Sequence, residues 1–173
     1  YQEAAEALGE ATVLPGAVYL EASITEPGVV RQSGEVVRVV FGELDGADSP
    51  RGGMIQTILQ TAEIDAEFTQ DIRKALWSKF IFIASMAGVT SVSRRTMAQL
   101  MPEPHWREVI ISCLREIEAV GRASGVNLDL GIVGQTIEYI DGSLEALRAS
   151  MHADVLAGRP LELEALNGAV IRA

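Results

Sequence analysis

With 173 residues, 48% of them hydrophobic and 22% charged, the chain has ample material for a buried core, which excludes a disordered tail. A net charge of −10, with no basic spot denser than Arg94-Arg95, argues against a nucleic-acid partner, because phosphate backbones would be repelled. A single cysteine, Cys113, and two histidines, His105 and His152, leave no internal disulfide and no basis for a cysteine- or histidine-built zinc site.

The chain reads from its start as a helix over Tyr1 to Leu8, closed by Gly9. Thr12 to Ile24, rich in Val, Tyr, Leu and Ile, predicts a strand interrupted early by Pro15-Gly16. Pro27-Gly28 marks a turn. Val29 to Gln32 and Glu35 to Phe41 predict a hairpin around Ser33-Gly34, and Gly46 to Gly53 a polar loop. A short helix follows over Met54 to Ala62, with Ile55, Ile58 and Leu59 on one face, then a short strand over Ile64 to Phe68.

Beyond Asp71 the period becomes helical. A helix runs to about Ala87, where Gly88 allows a break, and a short one covers Ser93 to Met101. Pro102 and Pro104 open a long helix to Ala123, with Val109, Ile110, Cys113, Ile117 and Val120 on its buried face, and Gly125 ends it. Leu130 to Ile140 and Leu144 to Leu156 predict two more helices, the second stopped by Gly158. Pro160 opens a last helix as its first-turn proline. The fold class is thus α+β, with residues 1–70 mixed α/β and residues 71–173 all-α. No secretory signal is visible, and no apolar run reaches the ~20 residues of a spanning helix, so Phe80 to Ala84 reads as a core helix and the composition as cytoplasmic. The chain opens inside an apparent helix and stops after Asn167–Ala173 without a cap, which predicts a piece of a longer protein.

Three residues could carry chemistry. Lys79 lies between Trp77 and Phe80-Ile81-Phe82-Ile83. Its spacing fits a snorkelling lysine with its ammonium in water better than a partly desolvated proton donor. Glu162, after Arg159-Pro160, reads first as an acid in the opening turn of a helix, as Glu164 would also. Ser150 reads first as an exposed helix serine that could donate to a carboxylate ligand. Cys113 reads as a core thiol and His152 as a polar-face residue. None of the sixteen glycines forms G-x-G-x-x-G or a P-loop.

Taken together, Ala75-Leu76-Trp77-Ser78-Lys79-Phe80 and Ser150-Met151-His152-Ala153-Asp154 through Gly158-Arg159-Pro160-Leu161-Glu162-Leu163-Glu164-Ala165-Leu166-Asn167-Gly168 resemble two motifs of the ketopantoate reductase (2-dehydropantoate 2-reductase) family. These are W-x-K and S-M-x-x-D…G-R-x-x-E-[IL]-[ED]-x-[IL]-N-G. Upstream, Glu26-Pro27-Gly28 and Phe41-Gly42-Glu43 resemble the end of that family's nucleotide domain. The resemblance implies that residues 1–70 are the C-terminal part of a Rossmann-type NADP-binding domain. Residues 71–173 would be an all-α domain of the 6-phosphogluconate dehydrogenase C-terminal type. It also implies reduction of 2-dehydropantoate by NADPH in coenzyme A biosynthesis, with Lys79 as general acid, Ser150 and Glu162 binding substrate, and Glu162 also at the cofactor. A small 2-oxo acid substrate, no nucleic acid, no membrane and a homodimer go with it. Ile83 and Ala87 stand where family members often carry asparagine, which leaves room for another 2-oxo acid or for a non-catalytic module on the same fold.

Overall fold

The computed structural model describes residues 2–145 and 147–173. Tyr1, the expected start of the first helix, and Ala146, inside the expected Leu144–Leu156 helix, lie outside the described residues. Two compact units divide the chain, Tyr1–Leu76 and Trp77–Ala173.

The first unit opens with helix α1 (Gln2–Leu8) and a 3-10 turn at Glu10–Thr12. Its sheet has the order β1 (Gly16–Glu26), β2 (Val29–Phe41), β3 (Asp65–Phe68). β1 begins at Gly16 rather than Thr12, because Pro15 has no N–H to offer a ladder and the 3-10 turn takes up Thr12. β1 and β2 pair antiparallel from Gly16↔Phe41 to Glu26↔Val29, with irregularities after Tyr19 and after Ile24. The expected hairpin at Ser33-Gly34 is not formed. One strand runs straight through these residues, with Ser33 opposite Glu21. The reversal occurs at Pro27-Gly28, where proline presets one turn position and Gly28 takes φ 81° at the next.

β2 and β3 pair parallel, from Arg38↔Asp65 to Phe41↔Phe68, so the chain between them must cross over. Helix α2 (Pro50–Thr61) makes that crossover. It starts four residues before the expected Met54, because Ser49 Oγ accepts from Gly52 N at 3.2 Å and Pro50 needs no hydrogen bond in the first turn. Gly52 lets α2 close onto β3, since a Cβ there would sit 2.2 Å from Phe68 Cζ. Gln56 and Gln60 each donate to the Ala66 carbonyl at 3.1 Å. Ala17, Val40, Phe41, Ala66 and Ile72 form the buried centre of this unit.

The helices are α3 (Ile72–Ser93), α4 (Met97–Leu100), α5 (Pro104–Ala123), α6 (Ile132–Ser143), α7 (Ser150–Ala157) and α8 (Asn167–Arg172). α3 does not break at Gly88 but continues to Ser93, and Arg94 ends it at φ 55°. Its most apolar window has a mean hydropathy of 1.4, and by length and composition it could cross a membrane, contrary to the sequence expectation. Ile81, Ala84, Ala87 and Val89 are buried in the unit, the arrangement of a core helix. Thr96 and Gln99 form a capping box that starts α4, later than the expected Ser93.

α5 buries Ile110, Leu114, Ile117 and Gly121 on one face at helical spacing. α6 buries Ile132, Thr136 and Ile140, and its Tyr139 meets Phe82 of α3 edge-on at 5.4 Å between centroids. The expected helix over Leu144–Leu156 is only α7. Leu147 and Ala149 are buried while Arg148 and Ser150 are exposed, an alternation of period two that an extended segment satisfies and a helix does not. Pro160 opens no helix either. Residues 160–162 are irregular, residues 163–166 form turns, and α8 begins at Asn167.

Candidate functional site

Lys79 is fixed by what its neighbours pack against. The Trp77 ring lies across Gly121 of α5, where a Cβ would come within 2.8 Å of Trp77 Cε3, and it meets Phe80 edge-on at 5.5 Å. Lys79, two residues on, points about 200° around the helix from that anchor. The lysine is half-buried, and burial pushes its ammonium below the usual lysine pKa by penalising the charged form. One and two turns further on come Ile83, half-buried, and Ala87, 3% exposed. The column below the lysine is therefore apolar.

Ser150 is the first residue of α7, exposed, beside Met151 at 1% exposure, which roots the helix in the core. Glu162 is exposed in the irregular stretch just before the turns that lead to α8. It does not sit in a helical first turn as expected, so no helix dipole acts on it. Its place is set instead by the main chain. Leu166 N donates to Glu162 O at 3.0 Å and Gly168 N to Leu163 O at 2.9 Å.

The Ser150–Gly168 segment meets the helix that bears Lys79 at Asn167. Its Nδ2 donates to the Ala84 carbonyl of α3 at 3.1 Å, bridging 83 residues. Gly88 leaves the room, because a Cβ there would lie 2.7 Å from that nitrogen. The Asn167-Gly168 pair therefore has a local explanation, and Gly168 adds its own. A Cβ on Gly168 would come 2.5 Å from Glu164 Oε2, whose carboxylate pairs with Arg172 at 2.6 Å. Sequence reasoning assigned no site role to Asn167 or Gly121 and read Gly88 as a break in the helix. The available signal was a glycine persisting inside two apolar helical stretches.

A cavity of about 500 Å³ in the second unit is lined by Ser85, Trp106, Cys113, Met151, Leu163 and Asn167, among others. It does not belong to the lysine. Gly88, also on its wall, is nine residues from Lys79, about two and a half turns, which is the opposite face of α3. Ser85 Oγ, Ser91 Oγ and Asn167 Oδ1 are buried at its wall without hydrogen-bond partners. Cys113 is half-buried, and burial first and the Glu116 charge second push its thiol up. His152 is not simply on a polar face. It is half-buried, with Nε2 buried and unpartnered, at a second cavity of about 240 Å³. Among the described residues no three His, Cys, Asp or Glu side chains group as a metal site would require.

Residues 71–173 match the family model described as "Ketopantoate reductase PanE/ApbA C terminal". The chain is 24% identical over 171 residues to the uncharacterized oxidoreductase YkpB of Bacillus subtilis (strain 168), covering 99% of this chain and 56% of that protein. It is 28% identical over 163 residues to a 2-dehydropantoate 2-reductase of Mesorhizobium japonicum, covering 94% of this chain and 49% of that one. The chain thus spans about half the length of the curated relatives it matches. Its fold superimposes on the crystal structure of 2-dehydropantoate 2-reductase from Geobacter metallireducens GS-15 with a TM-score of 0.89 at 23% identity. That match covers 99% of this chain and 57% of the other.

Proposed function

This chain belongs to the ketopantoate reductase family, and on that premise we propose that it carries the substrate side of an NADPH-dependent reductase of 2-dehydropantoate, with Lys79 as its general acid. What supports the reading is that the Ser150–Gly168 segment is tied by the Asn167–Ala84 hydrogen bond to the helix that bears Lys79, remote in sequence. No G-x-G-x-x-G occurs in these 173 residues, so this reading takes the phosphates of the dinucleotide to be held outside them. The reduced nicotinamide would supply the hydride, and this chain's residues act on the ketone.

As negative charge builds on the ketone oxygen, the Lys79 ammonium stabilises it more strongly than it does the neutral carbonyl, and it delivers a proton to that oxygen. Burial lowers the lysine pKa toward the range in which such transfer is efficient. In this reading the Ser150 hydroxyl donates to the substrate carboxylate. Glu162 orients the substrate and reaches the cofactor. The same reading takes the C-terminal part of an NADP-binding Rossmann domain to end near residue 70, and takes the whole protein to be a cytoplasmic homodimer.

A second reading has a specific observation behind it. Ile83 and Ala87 place no hydrogen-bonding side chain on the lysine's column, which favours a 2-oxo acid with an apolar substituent. The experiment is NADPH oxidation by the full-length protein with 2-dehydropantoate and a panel of 2-oxo acids, beside Lys79→Ala. Loss of about 10²–10⁴-fold in kcat/KM is expected of the variant. The wild-type rate should fall on the alkaline side, at a pH below that of an ordinary lysine. Undiminished turnover by Lys79→Ala would refute the assignment, and no turnover by the wild type would favour a non-catalytic module. The panel decides between the two substrates.

A further inference from the structure

We propose that Asn167 is a positioning residue, whose amide sets the register of the Glu162 turn against the helix that bears Lys79. The inference rests on the reductase reading above and deepens it. Four observations carry it. The Asn167 side chain hydrogen-bonds the main chain of α3 only five residues beyond Lys79, about 7.5 Å along the axis. It does so through the gap left by Gly88, so the approach has one geometry. The hydrogen bonds of Leu166 and Gly168, the residues flanking Asn167, close the turn that starts at Glu162. Met151, next to Ser150, lines the same cavity as Asn167.

Packing alone does not explain an amide at this place. Asn167 Oδ1 is buried without a partner at the wall of a largely apolar cavity, which opposes folding. A leucine of similar size would fill the space without that cost, but it would slide. A hydrogen bond to one helix carbonyl fixes both the distance and the rotation of the segment. Because Asn167 meets α3 on the face away from Lys79, it acts through the Glu162 turn and not by touching the lysine.

The test uses Asn167→Leu, Asn167→Asp and Gly88→Ala in the full-length protein. Aspartate cannot donate to Ala84, and alanine at 88 fills the seat of the amide. Each is expected to raise KM for the 2-oxo acid at least tenfold while kcat falls less, with Asn167→Leu as heat-stable as the wild type or more so. Combined with Glu162→Gln, Asn167→Leu should add little, since the residue it positions is already disabled. Additive effects, or a fall in Tm with KM unchanged, would overturn the proposal. Hydrogen exchange in the 173-residue chain gives a readout that needs no turnover. Asn167→Leu should speed exchange of the Leu166 and Gly168 amides at least tenfold relative to α5, and unchanged protection overturns the anchor. If protection is lost but the wild type reduces no 2-oxo acid, the reductase reading fails and the anchor stands.

Discussion

Replacing Glu43 by glutamine should cost about 2 kcal/mol of stability at neutral pH, and the cost should vanish in acid. Glu43 follows β2 and binds the start of α2. Arg51 Nε donates to its Oε1 at 2.7 Å, Arg51 NH2 to its Oε2 at 2.5 Å, and Ser49 Oγ to its Oε1 at 2.6 Å. Arg51 also reaches back to the Ala11 carbonyl, so one carboxylate ties together three segments. The Arg51 hydrogen bonds first and the Ser49 hydroxyl second pull the Glu43 pKa from 4.5 to about 2. A shift of that size corresponds to about 3.4 kcal/mol at 1.36 kcal/mol per unit. The Glu43 side chain is only 13% exposed, but that of Arg51 is 36%, and solvent screening reduces the figure to about 2 kcal/mol.

The sign follows from the depressed pKa. The contribution is complete above about pH 4.5 and is lost as pH falls toward 2. Urea unfolding of wild type and Glu43→Gln, followed by far-UV circular dichroism, should therefore differ by about 2 kcal/mol at pH 7, by less at pH 3.5, and converge near pH 2. An equal difference at pH 7 and pH 2.5 would refute the reasoning, because the loss would then come from packing and not from charge.

Two glycine substitutions probe the packing, one in each unit. Gly52→Ala drives a methyl into the Phe68 ring and should cost about 1–3 kcal/mol. Hydrogen exchange should show that loss across β2 and β3, and exchange confined to α2 would contradict it. Gly121→Ala displaces the Trp77 ring and should shift its fluorescence. It should also lower kcat in the full-length protein through Lys79, and unaltered emission with full activity would remove Trp77 as the lysine's anchor.

Local patterns made much of the fold legible. The buried face of α5 follows from Ile110 and Ile117 at helical spacing, the reversal at Pro27-Gly28 from two residues with fixed backbone preferences, and β3 from Ile64, Ala66 and Phe68 alternating with two acids. The resemblance of two motifs to those of the ketopantoate reductase family brought Lys79, Ser150 and Glu162 forward as a set. Gly88 looked like a helix break, and Pro160 looked like a helix start. Ser33-Gly34 looked like a turn, and residues 147–149 like part of a helix. For the last two, partners distant in sequence decided the outcome. β1 keeps β2 extended through Ser33, and the core takes Leu147 and Ala149 alternately.

The sequence by itself determined the class of the fold and which residues to suspect, because hydrophobic period, capping and turn chemistry act within a few residues. Tertiary structure alone decided how the suspected residues are held. Trp77 finds Gly121 and Asn167 finds Ala84 only when helices far apart in the chain pack together, and a hydrogen bond across 83 residues leaves no local trace beyond a glycine that lacks a side chain.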